Sequence, residues 1–257
     1  MKNYSSKGTI CVRGNFNLVY ALCEIEYIAN SDNTFKYIFR PNYSVIDLLT
    51  SEYFQGIPGL NLDLRKDEYI RDNKTPTFIS ERVPSTNRED YYILLEKLNM
   101  EYMDPIKYLI LTNEQYSGDK LFVIEKKEKE IVTFDSSIYD GNNNVLIKNI
   151  LINICLGNDV KIGREIVNDL NRKSFHDVFL AIYRRSLENR KKLQRLGIEK
   201  AKAKGVYKGR KPIKVDTLMF LDYLEKVSKK EMTARQAAIK LGISIDKYYR
   251  TKKLLQN

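Results

Sequence analysis

The residues best placed to do chemistry lie near the carboxyl end. Lys208-Gly209-Arg210-Lys211-Pro212 is a short basic arm. After a helical segment comes Thr233-Ala234-Arg235-Gln236-Ala237-Ala238-Ile239-Lys240-Leu241-Gly242-Ile243-Ser244-Ile245-Asp246-Lys247-Tyr248-Tyr249-Arg250. A basic arm leading into a helix, a Gly-containing turn and a second helix is how a small domain holds duplex DNA. The chemistry expected of such residues is charge pairing with phosphates and hydrogen bonding to base edges.

A second set suggests different chemistry. Glu125-Lys126-Lys127 places a Glu-x-Lys at a strand end, with Asp119 or Asp104 upstream. An Asp and a Glu can hold Mg²⁺ while the Lys stands near an attacking water, as in nucleases of the restriction type. Lys126-Lys127-Glu128-Lys129-Glu130 reads more simply as a solvated hairpin tip. Cys11, Cys23 and Cys155 are too few and too scattered for a disulfide framework or a zinc site. Cys11 or Cys23 with the single histidine, His176, is the nucleophile–base pairing the composition allows, but buried structural cysteine is the ordinary role. Gly56-Ile57-Pro58-Gly59 lacks the Gly-Lys-Ser/Thr of a phosphate loop and reads as a turn. Glu81-Arg82 and Arg88-Glu89-Asp90 read as surface ion pairs and a helix start. The 18 tyrosines include Tyr4, Tyr20, Tyr27, Tyr37 and Tyr43, which suit amphipathic packing on a sheet. No catalytic residue, metal site or cofactor is assigned.

Charge separates the chain into halves. Residues 161–257 hold 26 Lys and Arg against 10 Asp and Glu, whereas residues 1–160 hold 18 against 23. The basic half attracts a polyanion and the acidic half repels one. The 257 residues, with 43% hydrophobic and 30% charged, suit one large or two modest domains with a real core. No apolar run approaches the roughly 18–20 residues that span a bilayer. Met1-Lys2-Asn3-Tyr4-Ser5 opens no apolar signal stretch, so a cytoplasmic location is expected.

The elements that must position these residues follow from periodicity. Alternation over 8–28 and 34–40 predicts strands, with Asn30-Ser31-Asp32-Asn33 as the turn before the last. Tyr43–Leu49 predicts a short helix, Phe78–Pro84 an extended stretch, and Tyr91–Leu98 a helix. Asp104-Pro105 predicts a capped helix start. Leu121–Ile124 predicts a strand, Asp140–Asn144 a loop and Val145–Leu156 a helix. From Ser174, which can form a capping pair with Asp177, apolar residues at helical spacing predict one helix to about Lys204, ended by Gly205. Its length of about 45 Å calls for the apolar stripe to be buried on the amino-terminal domain or on a second copy. Its other faces carry Arg184, Arg185, Arg190, Lys191, Lys192 and Arg195.

Leu193 through Pro212, together with Gly242-Ile243-Ser244 and Tyr249-Arg250, resembles the end of the long helix, the arm and the helix-turn-helix of serine recombinases, the resolvases and DNA invertases. The resemblance covers about residues 185–257. It implies that Gly209 and Arg210 enter the minor groove, as the arms of that family do, and that Lys208 and Lys211 hold flanking phosphates. It implies that Ser244 caps the recognition helix and reaches a phosphate or base edge. Ile245, Asp246 and Lys247 would sit at that helix's reading end, and Tyr249 and Arg250 would reach backbone or base. Ala237, Ala238, Ile239, Leu241, Ile243 and Tyr248 would form the core between the helices. The family's Tyr-x-Arg-x-Ser strand near the amino terminus is missing. Tyr183-Arg184-Arg185-Ser186 is one residue short and lies in the long helix, so recombination is not expected. Asn33–Tyr37, Phe78…Pro84…Arg88, Asp104-Pro105…Leu109 and Gly118–Glu125 resemble the small amino-terminal subdomain of HipA-type toxin kinases, without the kinase core.

The expected architecture is α+β. Residues 1–160 form a mostly antiparallel sheet with helices, serving as a sensor or partner domain. Residues 161–204 form a connecting segment and a long basic helix. Residues 205–257 form the arm and helix-turn-helix. The expected function is sequence-specific binding of double-stranded DNA by a homodimer joined through the long helix, as a transcriptional regulator or mobile-element accessory factor. The alternatives are an Mg²⁺-dependent nuclease using Asp119, Glu125 and Lys127 and targeted by the same tail, or a toxin–antitoxin-like partner protein.

Overall fold

A computed structural model describes residues 4–113, 115–116, 118–134, 144–206 and 215–256. The chain is α+β and divides into two compact units, the first ending at Lys191 and the second beginning at Lys192.

The first unit is built on a five-stranded antiparallel sheet. Its strands are β1 (Tyr4–Arg13), β2 (Val19–Ala29), β3 (Phe35–Pro41), β4 (Tyr69–Asp72) and β5 (Phe122–Glu125), in the order β4-β3-β2-β1-β5. The β2–β3 connection is the expected turn. Asn33 takes φ +66° there, Asn30 N–H donates to Thr34 O, and Asp32 accepts from Thr34 N–H. A bulge opens between Ile10 and Cys11, where β1 shifts register against β2. One face of the sheet carries Ile10, Val12, Tyr20, Leu22, Ile25 and Phe39 into the main core.

Short helices cover that core. Tyr43–Ile46 (α1) and Tyr91–Lys97 (α3) lie where helical spacing places them. Thr77–Ser80 (α2) is a helical turn, not the extended stretch expected of Phe78–Pro84. Pro76 opens that turn with Phe78 and Ile79 buried beneath it, so packing overrides the local β preference. In α4 (Pro105–Thr112) the N-cap Asp104 accepts from Ile106 N–H and Lys107 N–H, both at 2.9 Å. The same carboxylate accepts from the hydroxyls of Ser6 (2.8 Å) and Tyr4 and so ties α4 to β1. Gly8 allows that approach: a Cβ there would meet Val123 Cγ1 at 2.7 Å and Ile106 Cγ2 at 3.0 Å.

A second sheet has the order β6 (Ile131–Phe134), β7 (Asp159–Ile162), β8 (Glu165–Val167). β6 and β7 are parallel, with α5 (Asn144–Cys155) between them in the chain, while β7 and β8 form a hairpin. The expected division at residue 160 falls inside β7. The Asp140–Asn144 loop lies outside the described residues except for Asn144, which opens α5.

Arg172 joins this sheet to the next helix. Its buried guanidinium donates to the carbonyls of Asn158 (2.7 Å), Gly157 (3.1 Å) and Ile154 (3.2 Å), to Asp169 (2.9 Å) and to Ser44 Oγ (3.1 Å). It thereby ties the last turn of α5 and the Gly157-Asn158 turn that follows to the start of the next helix. Burial opposes ionisation of Asp169, but its bonds from Arg172, Lys129 and Ser44 outweigh that and hold it at about 2.

Helix α6 (Arg172–Ala203) starts two residues before Ser174, which stands inside its first turn and not at the cap expected of it. The bonds Gly205 N–H to Lys202 O and Val206 N–H to Ala201 O, with Gly205 at φ +67°, close its end as expected. Phe179, Ile182, Tyr183 and Leu187 pack on the main core, and Phe175 and Phe179 on the second sheet. Leu193 and Leu196 farther along are exposed. No helix among the described residues is long and apolar enough to cross a membrane.

Candidate nucleic-acid interface

In the second unit, helices α7 (Thr217–Ser228), α8 (Ala234–Lys240) and α9 (Ile245–Gln256) are each started by a side chain. Asp216 accepts from Leu218 N–H (3.0 Å) and Met219 N–H (3.2 Å). Thr233 and Gln236 form a reciprocal box: Gln236 N–H donates to Thr233 Oγ1 at 3.2 Å, and Thr233 N–H donates to Gln236 Oε1 at 2.9 Å. Ser244 Oγ accepts from Lys247 N–H at 3.2 Å at the start of α9.

The turn between α8 and α9 occupies Leu241 to Ser244. Gly242 at φ +64° sends its N–H to Ile239 O, and Ile243 N–H reaches Ala238 O. This closure needs the left-handed conformation that glycine adopts without strain. Ala237 and Ala238, both buried, are small enough to let α8 approach its neighbours. Phe220 of α7 meets Tyr248 of α9 at 5.1 Å between ring centroids, and Ile243 completes the core. Ile239, expected in this core, is instead exposed, because it lies one residue beyond Ala238 on the outward side of α8. The Tyr248 hydroxyl is buried with no hydrogen-bond partner among the described residues.

With Tyr248 inward, α9 turns Ser244, Ile245, Asp246, Tyr249, Arg250 and Lys253 to the surface. Asp246, Tyr249, Arg250 and Lys253 are spaced at i, i+3, i+4 and i+7 and therefore share one face. The Tyr249 ring stands edge-on to Tyr248 at 5.6 Å, which orients it on that face. Lys247 is half-buried. Residues 192–257 hold 18 Lys and Arg against 6 Asp and Glu. Lys208, Gly209, Arg210 and Lys211 lie outside the described residues.

The other candidate groups lie in the first unit. Glu125 and Lys127 line a cavity of about 640 Å³ with Glu24, Arg40, Tyr43 and Asp169. Asp119 is not among its lining residues. Its carboxylate is bonded by Arg82 and accepts from Leu121 N–H. The Asp119, Glu125 and Lys127 set is thus divided between two places, and no metal-holding cluster of three acidic, His or Cys groups occurs among the described residues. Arg82, expected at the surface, is buried against the Phe78 ring at 4.2 Å, where Asp119 pairs with its charge and Phe78 O accepts from it, while its Nε has no partner among the described residues. Arg88 and Asp90 do form an exposed pair at 2.5 Å.

His176 is engaged by the Tyr20 hydroxyl (3.1 Å) and by Asp177 (3.1 Å), not by a thiol. Burial pushes the Cys11 and Cys155 thiols up to about 12 and raises Cys23 as well, so all three stay protonated and unreactive at neutral pH. Asp104 and Arg172 each stand at the centre of a bonded cluster; the Asp-Pro pair signals Asp104, whereas no local pattern signals Arg172, whose partners come from other segments. Comparison of the chain with protein-family models, with curated proteins and with solved structures gives no match.

Proposed function

We propose that this chain is a sequence-specific duplex-DNA-binding protein, acting as a transcriptional regulator or as an accessory factor of a mobile element. The observation that carries the reading is the outward face of α9. An amino-terminally capped helix presents Tyr249, Arg250 and Lys253 beside Asp246, in a unit with a large excess of positive charge. A helix of this width fits the major groove, and its first turns carry the side chains that reach base edges.

In this reading Ser244, Ile245, Asp246 and Lys247 stand at the reading end of α9, while Tyr249 and Arg250 reach base or backbone. Lys208, Gly209, Arg210 and Lys211 form the arm that follows the adjacent minor groove, where Arg is drawn to the negative potential of A·T-rich sequence. Two copies join through the exposed part of α6, and the first unit serves as sensor or as dock for a protein partner.

Selection of bound sequences from a random duplex library by the purified chain tests the reading. The expected result is a recovered motif with a half-site beside an A·T-rich stretch. Retention without any motif, fading steeply with salt, would show a nonspecific basic tail instead.

A further inference from the structure

We infer that Asp246 reads a cytosine in the major groove and makes α9 select a C·G pair at one fixed position of each half-site. The inference rests on the DNA-binding reading above. Asp246 is exposed on the same face of α9 as Tyr249, Arg250 and Lys253, and it has no hydrogen bond or ion pair with any described residue. Three other acids of this unit have structural work, whereas Glu199 and Glu231, whose carboxylates also have no bond to any described residue, lie outside α9. Asp216 caps α7, Asp222 pairs with Lys226 at 2.7 Å, and Glu225 pairs with Lys229 at 2.7 Å. Ser244 already caps α9, so the Asp246 carboxylate is free to point outward.

An unpaired carboxylate on a surface that meets phosphates repels them, a cost that a hydrogen bond accepted from a base edge offsets. The donors on base edges in the major groove are cytosine N4–H and adenine N6–H. Adenine sets its N7 acceptor beside that donor. A carboxylate can only accept, so N7 repels it, whereas cytosine offers its amine with no acceptor on the same base edge. A side chain as short as Asp also needs close approach, and the first turn of a recognition helix comes nearest the groove floor. The competing role is electrostatic support of α9 through its amino-terminal dipole, which affects folding and not base choice.

Parallel library selections with the full-length wild type, Asp246→Asn and Asp246→Ala, at one salt concentration, test the inference. The wild-type motif should hold a dominant C at one position. Asp246→Asn should shift that position toward A, which Asn reads through paired donor and acceptor, and Asp246→Ala should leave it degenerate. The wild-type protein itself should bind a duplex with that C·G changed to T·A about tenfold more weakly, a readout independent of how any variant folds. Identical motifs from all three proteins, with a lower melting temperature for the variants, would overturn the inference alone and assign Asp246 to the helix dipole. Absence of a wild-type motif would overturn the DNA-binding reading, and this inference with it.

Discussion

His176 and Tyr248 show how single buried polar groups are set by their surroundings. Burial lowers the His176 pKa, with Asp177 opposing, so the folded chain holds a neutral imidazole. The unfolded chain takes up a proton as pH falls through about 6.5, whereas the folded chain does so only at lower pH. Stability from this group is therefore full above that pH and declines below it. Thermal melts from pH 7.5 to 5 should show this decline, and His176→Gln should flatten it. Tyr248 buries its ring usefully and its hydroxyl without a partner. Tyr248→Phe removes an unsatisfied oxygen at constant shape, so the variant should be as stable as wild type or more so in denaturant titration. The resemblance to a recombinase helix-turn-helix implies a core place for the Tyr248 ring, and the ring is buried. The isolation of its hydroxyl was not legible in the sequence, because that depends on what the neighbouring helices leave out.

At the scale of elements, caps and turns carry the prediction. Gly242 has open space around a would-be Cβ, so Gly242→Ala meets only backbone strain and should cost about 1–2 kcal/mol. A melting curve of the second unit's helices measures it, and an unchanged midpoint would contradict the turn geometry. Asp104→Ala removes two cap bonds and the acceptor for Tyr4 and Ser6, and should cost about 2–3 kcal/mol in urea unfolding. Asp104→Asn, which retains an acceptor oxygen, should recover part of that loss. Both sites stand in the sequence as Leu-Gly-Ile-Ser and Asp-Pro, local signals that need no knowledge of the fold. Strands β4, β6, β7 and β8 gave no such signal. They are three or four residues long, and β6 and β7 pair in parallel across an intervening helix.

At the scale of the whole molecule, α6 divides its apolar residues between two situations. Phe175, Phe179, Ile182, Tyr183 and Leu187 pack within the first unit, while Leu193 and Leu196 are exposed, at 69% and 43%, as is Val178. Exposed leucines on a basic helix fit a self-complementary contact of the kind that closes a two-fold dimer. Sedimentation at micromolar concentration, with and without DNA, should show a dimer. Leu193→Lys with Leu196→Lys should return it to monomer and weaken binding to a two-half-site duplex more than to a single half-site. A monomer under all conditions would remove the long helix from the recognition scheme.

The amino-acid sequence by itself determined what depends on a few neighbouring residues or on simple sums. These include the β1–β3 alternation, the Asp104 cap, the Gly205 and Gly242 helix ends, the extent of α6 to within two residues at its start, and the segregation of charge. Only the tertiary structure decided what depends on residues far apart in the chain. Arg82 and Arg172 are buried because carbonyls and carboxylates from other segments converge on them. Ile239 is left outside because its side of α8 faces no partner among the described residues, and Asp119, which precedes β5, pairs with Arg82 while Glu125 at the far end of that strand lines the cavity. Local hydrogen bonds and periodicity are written in adjacent residues, whereas burial and charge pairing are settled only when distant segments share one space.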